Sequence, residues 1–177
     1  HSVNKEHDLK LVQVFVSHSW NENFDEFVTS IETAFATWPE KPNLWICVTA
    51  LMQSTDPSAV SAQVGTGIDP SKAPFTRAMA RAEKLLIVRN SNDDIYSRIW
   101  CCWELYIAKK LGLVEKPGAL VIVGPPSLDS HVDIAASCAS YPEDKHKILE
   151  HVIKQENGCD EINAVLARVK GFARSRM

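Results

Sequence analysis

The chain has 177 residues, 45% of them hydrophobic and 23% charged, with a formal net charge of −3. That is enough apolar material for one well-filled domain. The near-neutral charge argues against a nucleic-acid surface, since the only dense basic cluster, Arg168, Lys170, Arg174 and Arg176, reads as a solvated helix end or the start of a linker.

Residues 1–9 are expected to form a flexible N-terminal segment, and 10–177 a single domain. Four short apolar runs then organise the chain: Leu11 to Val16, Leu44 to Val48, Lys84 to Val88 and Ala119 to Val123. Continuous apolar runs of this length are what parallel strands display when both faces are covered. Helical patterns lie between them. Phe24, Phe27, Val28, Ile31 and Phe35 share a face in the first, and Phe75, Met79 and Ala82 mark a second.

The third helix, Trp100 to Leu111, carries the most informative residue. A rotation of roughly 100° per residue puts Trp100, Trp103, Ile107 and Leu111 on one apolar face. Glu104 falls inside that face, whereas Arg98, Lys109 and Lys110 project the other way. A carboxylate among indoles must be paired, protonated or given a chemical task, because unpaired burial of its charge is costly. Trp100 and Trp103 are expected to be partly core, as large aromatics at helical spacing usually are. Two further helical candidates, 144–155 and 160–174, follow the fourth strand, separated by Asn157-Gly158.

The alternation implies an α/β, flavodoxin-like fold: a parallel sheet of four to five strands with helices on both faces. Ligands of such sheets bind beyond the carboxyl ends of the strands, where strand order reverses. That rule selects Ser17, His18, Ser19 and Trp20 after the first strand, the connection after the second, and Arg89-Asn90-Ser91 after the third. His18 suits either a strand cap or a ligand contact. Arg89 suits either a phosphate or an ion pair with Asp93 or Asp94, which otherwise read as capping or turn residues. The connection from Leu51 to Ala73 has little periodicity, and structureless connections beyond about 15 residues tend to be functional or disordered. Its Gly65-Thr66-Gly67 lacks the third glycine of a phosphate loop and reads as ordinary loop.

The five cysteines are odd in number and poorly arranged for bridges, with Cys47 inside an apolar run and Cys101 next to Cys102. That pattern points to a reducing compartment, and the absence of a signal peptide to the cytoplasm. No His pair joins the cysteines at ligand spacing, so no metal site is expected. No apolar run approaches the ~20 residues that cross a bilayer, so no membrane contact is expected within this segment.

The run Val14-Phe15-Val16-Ser17-His18-Ser19-Trp20, together with Ser97-Arg98-Ile99-Trp100-Cys101-Cys102-Trp103-Glu104-Leu105, resembles the Toll/interleukin receptor (TIR) domain. The second segment, of form Ser-x-x-Trp-Cys-x-x-Glu-Leu, is the more specific. It looks most like the plant, bacterial and protist branches, whose glutamate belongs to an NAD-cleaving site. The likeness runs in order over about residues 10 to 125.

The resemblance implies an NAD glycohydrolase that releases nicotinamide and leaves ADP-ribose or a cyclic isomer, with NAD as substrate and no further cofactor. It also implies homotypic self-association, the loop after the second strand gating the site. Glu104 would be the catalytic carboxylate and Trp100 the aromatic that stacks on the substrate. Ser17, His18, Ser19, Trp20 and Arg89 would complete the substrate contacts, although many relatives carry Tyr or Arg where this chain has the His18-Ser19-Trp20 segment. Two other readings are a non-catalytic TIR scaffold acting by homotypic assembly, and nucleoside deoxyribosyl transfer, which also uses a glutamate at a ribose.

Overall fold

The computed structural model describes residues 11–52, 54–64, 69–126 and 133–172. The segment 1–9, Gly65-Thr66-Gly67, Arg174 and Arg176 lie outside the described residues. Four parallel strands, β1 (Val14–Ser17), β2 (Leu44–Ile46), β3 (Lys84–Val88) and β4 (Leu120–Val123), form one sheet in the order β2-β1-β3-β4. Val14 is in register with Leu44 on one side and Lys84 on the other, and Leu85 with Leu120. The chain steps from β1 outward to β2 and then crosses to β3 on the other side. Strand order therefore reverses between β1 and β3, and the crevice favoured for ligands opens beyond Ser17 and Val88.

The strand residues alternate between two cores. Phe15, Leu85 and Ile87 belong to the larger one, with residues of α4 (Pro74–Met79), α5 (Ile99–Lys110), α6 (Pro142–Ile153) and α7 (Gly158–Phe172). Val14, Val16, Leu86 and Val88 pack on the opposite face against Phe27 of α1 (Phe24–Ala34). Helices thus cover both faces, as the continuous apolar strands require. Full burial of a side chain such as Phe15, Leu85 or Trp103 contributes roughly 1.5–3 kcal/mol. The entry to α1 is fixed locally: the Asn23 side chain accepts the Glu26 N–H at 3.0 Å, and Asp25 and Glu26 face the positive end of the helix.

Several boundaries differ from the sequence reading. Leu11 is exposed and β1 begins only at Val14, while β2 stops at Ile46 because the chain turns directly into the short helix α2 (Cys47–Ala50). Cys47 is therefore at a strand end and not within a strand. The connection after it is not structureless, for it holds α3 (Pro57–Val64) and a 3-10 turn at Pro70–Lys72. Asp56 starts α3 by accepting the Ser58 N–H at 2.9 Å, a local signal that the lack of long periodicity concealed.

The largest correction concerns α5. It is not a one-sided amphipathic helix: Cys101, Cys102, Leu105, Tyr106 and Ala108 are buried along with Trp103 and Glu104, and Leu111, expected on the apolar face, is exposed. Because α4, α6 and α7 all pack against it, α5 has apolar residues on nearly every side. Its last turn is held by Lys109 and Lys110, both paired with Glu161 of α7.

Gly124 ends β4 with φ 87°, and a Cβ there would lie 2.1 Å from the Arg89 carbonyl oxygen. Gly124→Ala is expected to lower the free energy of unfolding by about 2 kcal/mol through combined strain and clash. The urea midpoint measures this, and an unchanged midpoint would show that the β3 and β4 ends separate freely.

Candidate functional site

A cavity of about 380 Å³ opens at the carboxyl end of the sheet, within the size range of small-molecule sites. His18, Ser19 and Trp20 from the end of β1 and Cys47 from the end of β2 form one wall. Trp100, Cys101 and Glu104 of α5 form another, with Arg98 at its start, and Phe75 of α4 adds an aromatic side. Ser54 from the connection after β2, and Cys138, Ser140, Tyr141 and Asp144 at and before the start of α6, complete it.

Glu104 is 5% exposed. The Ser17 hydroxyl, at the last position of β1, donates to its Oε2 at 2.5 Å. Burial pushes the Glu104 carboxyl up to about 7, with the Ser17 hydrogen bond and the charge of His18 pulling partly against it. A carboxyl poised there changes protonation near neutral pH, which is the range in which acid–base and electrostatic catalysts operate.

His18 is held on both ring nitrogens. Nδ1 lies 2.7 Å from Glu22 Oε1, four residues on in sequence, and Nε2 lies 3.0 Å from Cys47 Sγ. Burial is the largest influence and opposes an imidazolium, but Cys47 and Glu22 together outweigh it and push His18 up to about 10. Burial also raises the Glu22 carboxyl, against the pull of His18. Trp20 is half exposed, and its indole N–H donates to Cys47 Sγ at 2.9 Å. The Ser19 hydroxyl donates to Asp93.

Trp100 stacks on Phe75 with ring centroids 5.1 Å apart and donates its indole N–H to Asp144 Oδ2 at 3.1 Å. One of its faces is therefore already occupied by a ring, and the pair fixes a flat aromatic wall above the cavity. Trp103 is fully buried and donates to the Thr76 hydroxyl at 3.2 Å, so it belongs to the core. Arg98, read from its spacing as pointing away, instead lines the cavity, and its Nη2 donates to Ser140 Oγ at 2.9 Å. It does so because it lies at the start of α5, before helical geometry fixes the direction of its side chain.

Among the residues selected from the sequence, Glu104, His18, Ser19, Trp20 and Trp100 share this cavity, and Ser17 touches it through Glu104. Arg89 is not among the lining residues. It is buried beyond β3, and its Nε and Nη1 have no hydrogen-bond partner among the described residues. Burial lowers the basicity of its guanidinium, with Tyr96 and Asp94 acting the other way. Asp94 caps the turn at Tyr96 and lies 3.5 Å from Lys170, while Asp93 serves Ser19. Of the two acids considered as partners for Arg89, Asp94 acts on it through its charge while Asp93 is taken by Ser19.

Sequence reasoning missed Glu22, Cys47, Phe75, Arg98, Tyr141 and Asp144. Two of these were within reach. Cys47 follows the second strand, where the strand-end rule already pointed, and Glu22 lies four residues after His18. Asp144 and Tyr141 come from a segment distant in sequence, and only the packing of α6 against α5 brings them in.

No protein-family model, curated protein or solved structure matches this chain.

Proposed function

We propose that the chain is a TIR-like NAD glycohydrolase that cleaves the bond between nicotinamide and ribose, with Glu104 as its catalytic carboxylate. The observation that carries this reading is the buried carboxylate of Glu104 facing an aromatic-walled cavity beyond the carboxyl ends of β1 and β2, where the other buried carboxylate of the lining, Asp144, is engaged by the Trp100 indole N–H. The nicotinamide–C1′ bond breaks with its electron pair moving to the pyridinium nitrogen, so the leaving ring departs neutral and needs no general acid. Positive charge develops on C1′ and the ring oxygen, and an ionised Glu104 stabilises it until water adds and gives up a proton. The Ser17 hydroxyl orients Glu104 and favours its charged form. The Phe75–Trp100 stack offers a flat surface to a nucleotide ring, and Arg98 supplies a cation for a phosphate.

The reading is tested by incubating concentrated protein with NAD and quantifying free nicotinamide. Ser17→Ala removes the hydrogen bond that lowers the Glu104 pKa, so that pKa rises further above about 7. The acid limb of nicotinamide release is then expected to move to higher pH, measured as rate against pH across roughly 6–9. An unmoved limb would mean that Glu104 does not set it.

Homotypic self-association belongs to the same proposal. Trp20, Val48 and Met52 on the β1 and β2 side expose large apolar groups, which suits contact with a second copy. Nicotinamide release that climbs more steeply than protein concentration is the expected result, and strict proportionality would argue against assembly. The same exposed groups also favour the second reading, a non-catalytic scaffold, which gains if clustered protein releases no nicotinamide.

A further inference from the structure

Beyond Glu104, the cavity contains a second reactive arrangement that the proposed reaction does not use. The thiol of Cys47 meets His18 Nε2 at 3.0 Å, and the other ring nitrogen of His18 meets the Glu22 carboxylate at 2.7 Å. This is the order nucleophile, base, orienting acid, with each contact at hydrogen-bonding distance. The sulfur also accepts the Trp20 indole N–H, so two donors converge on it when His18 is protonated. Cys101 lines the same cavity, but its thiol donates to the His18 carbonyl and burial pushes it well up, as burial does the Cys102 thiol. Three neighbouring thiols therefore differ in their contacts: Cys47 meets an imidazole, whereas Cys101 and Cys102 donate to backbone carbonyls.

We infer that Cys47, with His18 as the group that carries its proton and Glu22 as the orienting carboxylate, is a site of covalent capture for small α,β-unsaturated carbonyl compounds entering this cavity. The class follows from the surroundings. A flat conjugated electrophile suits the aromatic wall of Phe75, Trp100 and Trp20, and its addition needs neither a leaving group nor an oxidant. In the step, the sulfur forms a bond to the β-carbon, and the alkene electron pair moves onto the α-carbon and carbonyl oxygen as an enolate. His18, having taken the thiol proton, returns it to the α-carbon. The product is a neutral thioether, and the triad ends as it began except for the lost thiol. The inference is independent of the role assigned to Glu104.

The test uses acrylamide as probe on the whole chain, with adducts at Cys47, Cys101 and Cys138 followed over time by peptide mass spectrometry. Cys138, which lines the same cavity, is the comparison because it is exposed and no described imidazole is bonded to it: its thiol donates to the Ser97 carbonyl and Arg98 Nη1 lies 3.9 Å from its sulfur. Buried Cys47 is expected to react at least ~10-fold faster than exposed Cys138, the reverse of what access alone would give, with Cys101 slower than both. His18→Asn is expected to slow Cys47 by ~10-fold or more while Cys138 keeps its rate, and buried Cys101 staying slow reports that the fold is intact. Glu22→Gln, nearly isosteric, is expected to slow Cys47 severalfold and decides the matter should the His18 variant fail to fold. Cys47 labelling no faster than Cys138, or at a rate that the Glu22 and His18 substitutions leave unchanged, would overturn the inference.

Discussion

Glu104→Gln is expected to reduce nicotinamide release from NAD by on the order of 10³-fold while leaving the fold unchanged. The side chain is almost fully buried, so its carboxylate acts where water screens it little and its effect on developing positive charge is large. Glutamine keeps the size of the group and can still accept the Ser17 hydroxyl, so the packing of α5 against β1 is retained. What it removes is the negative charge at the moment C1′ becomes electron-poor. The measurement is initial rate at saturating NAD, and a variant that retains more than a tenth of the wild-type rate would remove Glu104 from the mechanism.

The same substitution is expected to stabilise the protein in alkaline conditions and not in acid. Folding raises the Glu104 carboxyl from its ordinary 4.5 to about 7. Between those values the native state binds more protons than the unfolded state, so this group's contribution is fully present below about 4.5 and is lost as pH rises through 7. The lost stability amounts to about 3 kcal/mol once pH exceeds 7. Glutamine is neutral throughout and carries no such penalty. Urea unfolding of Glu104→Gln should therefore show it more stable than wild type by up to about 3 kcal/mol near pH 8 and equal to it near pH 4.5. A difference independent of pH would show that Glu104 is not held at a raised pKa. The two results describe one trade: a carboxylate that weakens the fold at the pH where it is useful.

The sequence was most legible where a pattern was local. The apolar runs at Val14, Lys84 and Leu120 announced strands, and their alternation with helices announced a parallel sheet with a crevice at a definite end. Glu104 was conspicuous because a charge in a tryptophan-rich helix violates the pattern, and its burial matches that expectation. Its face was not legible in the same way, for α5 is enclosed by three helices and one-sided periodicity does not describe it. Partners set by tertiary packing were not legible. Trp100 looked free to stack on a ligand, yet Phe75 takes one face and Asp144 its indole N–H. Arg89 followed a strand end as a phosphate ligand would, but its guanidinium is buried away from the cavity. Cys47 was hidden by its place in an apolar run, although the base that addresses it, His18, was already marked as a site residue.

The most direct test of the central claim is the nicotinamide released from NAD by wild-type protein clustered at high density on a surface near pH 8, where Glu104 is ionised. Many turnovers per chain, abolished by Glu104→Gln, is the predicted result. Absence of nicotinamide from the clustered wild type, or release that persists in the variant, would contradict it.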